Sequence, residues 1–135
     1  MSEPVGRSKD CDIQVVRFTA TGSVDSTFNS RVFDFVGEGG TSNDDQASSI
    51  VIQPNDQIVE AGWHDHAYAN TVFALARFNV DGSFDSTFGT SGIVTTNISG
   101  KDGASALLTQ SDGKLIAICE ANNHNPFAPA RFLGQ

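Results

Sequence analysis

The sequence predicts an all-β fold: β-propeller blades, each a four-stranded antiparallel meander, with about two blades plus partial strands in one chain. Three observations predict it. Arg77 to Phe88 repeats Arg17 to Phe28, and eight of the twelve positions are identical (Arg, Phe, Gly, Ser, Asp, Ser, Thr and Phe). A second unit recurs as well. Residues 45–59 and 102–116 share an Asp, Ala-Ser, an aliphatic run, Gln, a polar turn and a second aliphatic run. Finally, no stretch shows a helical period, and short apolar runs alternate with turn residues. Four strands in about 55–60 residues is the arithmetic of a blade. A β-sandwich does not require near-identical turns at a fixed period.

Composition narrows the function classes. The chain has 135 residues, 13 Gly and ten Phe against one Trp and one Tyr, which suits many short strands joined by turns. The net charge is −8, and Lys and Arg cluster nowhere, so neither nucleic acid nor an anionic membrane surface is an expected partner. No run approaches eighteen apolar residues. Met1 to Asp10 is polar, with no signal peptide visible. Cys11 and Cys119 form neither a Cys-x-x-Cys pair nor a zinc ligand set.

In order along the chain, residues 1–12 are a lead-in. Ile13 to Phe18 is strand-like, Thr21-Gly22-Ser23 turns it, and Asp25 to Phe28 is a turn in which Asp and Ser side chains bond nearby amides. Arg31 to Val36 is a second strand, so residues 13–44 read as the third and fourth strands of a blade. Residues 45–101 make a complete blade. Its hairpin turns at Pro54-Asn55-Asp56, and a polar loop runs from Trp63 to Asn70. Thr71 to Phe78 is a strand apolar enough to be buried on both faces, and Ile93 to Ile98 closes the unit. Residues 102–135 supply first to third strands of another blade. The hairpin here turns at Asp112-Gly113, a strong hairpin signal. The last strand, Pro126 to Phe132, carries Pro129, which cannot donate a ladder hydrogen bond.

Ala76 to Gly89 resembles the signature of the bacterial delta-60 repeat, and so does Leu108 to Ala117. The resemblance covers about Ile13 to Phe132. It implies a β-propeller repeat of bacterial, often surface or secreted, proteins, with no catalytic residue to transfer. The first copy departs from the signature at Asn29 and at its Pro-Asn-Asp-Gln turn, and the last copy departs at Pro129.

Two groups of residues are candidate sites. Arg17/Asp25 and Arg77/Asp85 keep a spacing of eight across the repeated turn, which suits an Arg bridging strand to turn. The alternative is an Arg that binds an anionic ligand. Phe28 and Phe88 close the motif and are expected to be packing anchors. Trp63, His64, Asp65, His66 and Tyr68, with His124 in the corresponding loop of the next blade, form the densest chemical cluster and could bind a ligand. Three His could hold zinc, but Ala121 and Asn123 stand where the copy would need His64 and His66. The spacing of Asn79, Asp81 and Asp85 around Gly82 has the look of a calcium loop. The first copy has Thr19 and Thr21 there and keeps the turn, so a turn is the simpler reading. No metal, cofactor or catalytic residue is expected.

Two blades cannot close a ring, which needs about four. Unpaired sheet edges and apolar blade faces would then be left at both ends. The expected partner is another copy of the chain or the rest of a longer propeller, with a protein or glycan as possible ligand. The function expected is a non-enzymatic binding or structural scaffold. The alternative is a hydrolase or lyase with its site on the axis of an oligomeric ring. If the N-terminal strands complete the blade of Cys119, Cys11 and Cys119 come close; Pro126 to Phe132 competes for that slot.

Overall fold

The computed structural model describes residues 12–35, 44–66, 70–97, 102–121 and 128–132. Among them the chain forms nine strands and no helix. β1 (Ile13–Gln14) and β2 (Val32–Phe33) make a two-stranded sheet. β3 (Asp45–Ile52), β4 (Ile58–His66), β5 (Asn70–Phe78) and β6 (Ile93–Thr96) make a four-stranded one. β7 (Asp102–Thr109), β8 (Leu115–Ala121) and β9 (Ala128–Phe132) make a third. Every pairing is antiparallel between sequential strands, the order of a meander.

Local chemistry builds the second and third sheets alike. The β3–β4 turn closes with Gln53 N–H on Gln57 O at 2.8 Å, and the β7–β8 turn with Gln110 N–H on Lys114 O at 2.7 Å. Both need a left-handed residue, supplied by Asp56 (φ 64°) and Gly113 (φ 81°). Gly does so without steric cost, and Asp tolerates it. The first strands of both sheets also break register at the same place, between Ala47 and Ser49 and between Ala104 and Ala106. The repeat therefore extends to a β-bulge.

β5 is buried from Val72 to Phe78 because sheets cover both its faces. Phe73 and Leu75 join Val59, Ala61 and Phe88 in a core against Leu107 and Leu115 of the third sheet. Ala74, Ala76 and Phe78 face the other way, against Ile13, Phe33 and Phe35 of the first. Phe33 sits edge-on to Phe35, Phe78 and Phe84, with centroids 5.3–5.7 Å apart, a preferred aromatic geometry.

The expected strands differ in two places. Among the described residues of Ile13 to Phe18 and Arg31 to Val36, strand pairing is confined to β1 and β2, and Phe18 makes an isolated bridge to Val24. Among the described residues nothing lies on the free edge of β1 to extend it. Trp63 to His66 belong to β4 rather than to a loop. Neighbours on both sides pair their backbones, Trp63 with Gln46 and Phe73, and His64 with Asp45 and Val72. Of the expected last strand, β9 covers Ala128–Phe132, and Pro126 and Phe127 lie outside the described residues.

Candidate functional site

The repeated motif folds the same way twice. Asp25 N–H donates to Arg17 O and Asp85 N–H to Arg77 O, at 2.8 and 2.9 Å, folding each turn back on its strand. Gly22 and Gly82 take φ 86° at the tip. Asp25 Oδ1 accepts from Thr27 N–H and Oγ1–H at 2.9 and 2.6 Å, and Asp85 Oδ1 from the same groups of Thr87 at 3.0 and 2.7 Å. Arg17 Nε donates to Asp25 Oδ2 at 2.9 Å, and Arg77 Nε to Asp85 Oδ2 at 2.8 Å. Each guanidinium lies over the Phe that closes its motif, 4.8 Å from Phe28 and 4.4 Å from Phe88, within cation–π range.

The surroundings separate the copies. The Arg77 and Asp85 side chains are 2% and 8% exposed, against 36% and 21% for Arg17 and Asp25. Asp85 also accepts from Gln57 Nε2 at 2.7 Å, a residue of its own blade's hairpin turn. Burial alone would raise the Asp85 carboxyl. Hydrogen bonds from Thr87 and Gln57 and the charge of Arg77 outweigh it and hold the group at about 2. Asp25 is lowered too, chiefly by Thr27 and then by Arg17.

The carboxylates around Gly82 point at separate partners. Asp81 Oδ1 accepts from Ser83 N–H and Oγ–H, and Asn79 Nδ2 donates to Ser83 Oγ and Phe84 O. Among the described residues no group of three or more His, Cys, Asp or Glu is placed to hold a metal ion.

A second cluster lies where the first and second sheets meet. His64 is 2% exposed, and its Nδ1 is 2.7 Å from Asp45 Oδ1. Asp45 Oδ2 accepts from Phe35 N–H at 3.2 Å. Burial pushes the Asp45 carboxyl up against those two hydrogen bonds. Glu60 is 2% exposed, neither of its oxygens has a hydrogen-bond partner among the described residues, and it lines a cavity of about 430 Å³. Burial, with Asp45 nearby, pushes it up to about 8, so it is largely protonated at neutral pH.

Of the expected aromatic and histidine cluster, the side chains of Trp63, His64 and Asp65 lie among the described residues, side by side on β4. His64 turns inward to Asp45. Trp63 faces the third sheet, where a Cβ on Gly103 would lie 3.4 Å from its Cδ1. Asp65 is half-buried at the end of β4. The His66 side chain, Tyr68 and His124 lie outside the described residues, as do Cys11 and the Cys119 side chain. Sequence reasoning missed Asp45, Glu60 and Gln57 as participants. Glu60 left a signal: it interrupts an apolar strand where the copy has Ala117.

Residues 12–28 and 53–88 are similar to the family described as "Domain of unknown function (DUF5122) beta-propeller". The matched segments carry both copies of the motif and the first hairpin turn. No curated protein matches the chain. The fold is all-β, with β-propeller blades as its antiparallel sheets.

Proposed function

We propose that the chain is a non-enzymatic β-propeller module of the delta-60 repeat type, a binding or structural scaffold that forms a ring from several copies. One observation carries this reading: the chemistry that recurs is used up in the fold. Both Arg–Asp pairs bridge strand to turn, and both Phe rings are buried beneath their Arg, at 5% and 6% exposure. Apolar side chains remain on the blades, with Ile52 68% and Ile50 and Leu108 each 55% exposed. Such surface suits burial against further blades. Light scattering at micromolar concentration should give a mass above the 14.3 kDa of one chain. A well-folded, cooperatively unfolding monomer would overturn the assembly.

The second reading, a hydrolase or lyase site shared between chains, draws on Glu60 beside Asp45 and His64. Carboxyls raised by burial mark catalytic sites as well as structural ones. Hydrolysis of a chromogenic ester or glycoside that Glu60→Gln abolishes would favour it.

A further inference from the structure

We infer that a second copy of this chain completes the first sheet: β7–β8 of one copy and β1–β2 of the next form one four-stranded blade, with β1 in the place of β9 against β8. The inference rests on the assembly proposed above and names the strands that make it.

Four observations converge on the same geometry. The first is burial at matched positions. Ala104 and Leu107 on β7 are 5% and 3% exposed because they pack on the second sheet. Ala47 and Ile50 occupy the same positions on β3, yet Ala47 is exposed and Ile50 is 55% exposed. The first sheet has no first and second strand among the described residues, and the 430 Å³ cavity lies there, between β1 and β3. A β7–β8 hairpin is the missing pair by repeat position, and it offers Leu108, Ile116 and Ile118 where the second sheet offers Val51, Val59 and Ala61 to its neighbour.

The second observation concerns the turn of the motif. The first motif docks on the second: Arg17 Nη1 donates to Val80 O at 2.8 Å and Asn29 N–H to Asp81 O at 2.7 Å. A Cβ on Gly82 would lie 3.0 Å from the Phe28 ring, whereas one on Gly22 meets nothing within 4 Å. The Gly22 turn is thus a knob without a hole. A cavity of about 340 Å³, lined by Gln53, Pro54, Gln57, Arg77, Ser111 and Gly113, is where the repeat would place the next such turn. A copy whose β1 lies on β8 delivers its Gly22 turn there.

The third is the strand slot itself. β9 puts Pro129 opposite Ile118, and proline has no N–H for the ladder. The segment that follows β1 supplies Val15 at that position. The fourth is charge. Gln57 reaches Asp85 within the complete blade, and its counterpart in the β7–β8 turn is Lys114, whose Nζ pairs with Asp112 of that turn in the single chain. In the split blade Lys114 of one copy meets Asp25 of the next, a cation against a carboxylate that is 21% exposed within one chain.

With two blades per copy, rings of about four to eight blades take about two to four copies. The test mixes ¹⁵N-labelled and unlabelled chain, measures mass by light scattering, then couples amines to carboxylates with a zero-length carbodiimide. Lys114–Asp25 peptides carrying one labelled and one unlabelled half are the expected result. Assembly without that mixed link overturns the split blade and leaves the scaffold reading standing. A folded monomer overturns both, and points to the rest of a longer polypeptide as the occupant. Ile50→Lys gives a second arm, since Ile50 is exposed in the single chain and its replacement leaves folding intact. It should return the mass to that of one chain at concentrations where the parent assembles, and an assembled Ile50→Lys overturns the inference.

Discussion

The two copies of the motif share their Arg–Asp and Asp–Thr hydrogen bonds and have different neighbours. Arg17 and Asp25 sit at a surface, whereas Arg77 and Asp85 are enclosed by Gln57 and the second sheet's core. Local sequence is therefore sufficient to form the turn, because every bond within it spans ten residues or fewer. What the turn is worth depends on what covers it. An exposed ion pair contributes little, whereas one out of water costs much when broken.

The two rings should show the largest difference between the copies. Phe88 belongs to the core between the second and third sheets, while Phe28 is equally buried but packs on the neighbouring Gly82 turn. Phe88→Ala should cost about 3–5 kcal/mol in urea unfolding, from lost transfer energy and the cavity left behind. Phe28→Ala should cost less, because it joins neither core. Equal losses would mean that the motif, rather than its surroundings, sets the energy.

Glu60 and Ala117 extend the comparison to the hairpins, where one position is a buried carboxyl in one blade and a methyl in the next. Glu60 has its folded pKa raised from 4.5 to about 8. The native state holds a proton that the unfolded chain releases, so stability is full below about pH 4.5 and falls as pH rises toward 8. The slope across that window is about 1.4 kcal/mol per pH unit. Glu60→Gln should remove the slope, matching the parent at low pH and exceeding it at pH 8. Parallel pH profiles would show that Glu60 ionises freely.

Asp85→Asn should cost about 1.5–3 kcal/mol, the range for hydrogen bonds to a charged group. Asp25→Asn should cost less, in solvent. The sign with pH is opposite to that of Glu60. Asp85 is depressed from 3.8 to about 2, so its contribution is present above pH 3.8 and is lost as pH falls toward 2. Acid titration of the Asp85→Asn variant should lack that loss.

The smallest effect is expected at the turn tips. Both glycines hold φ 86°, a conformation costing an L-residue about 1–2 kcal/mol. Gly22→Ala should show that cost alone, since its Cβ meets nothing. Gly82→Ala adds a contact at 3.0 Å with Asn29 backbone and the Phe28 ring, and should be worse. In an assembled sample the split blade predicts that Gly22→Ala loses this advantage.

By itself the sequence determined what short-range geometry dictates. Recurrence of Arg, Gly, Asp and Phe at one spacing means one turn built twice, and two aliphatic runs around Asp112-Gly113 mean a hairpin. These need only backbone sterics and side chains within ten residues of each other. The tertiary structure decided which copies are buried and what the charged residues face. His64 could be read as a loop ligand until β3 placed Asp45 beside it, nineteen residues away in the chain. Gln57 met Asp85 across twenty-eight residues, and Glu60 came to line a cavity shared with β1, a segment of another sheet. Desolvation depends on neighbours brought by chain folding, and no spacing within a strand encodes it.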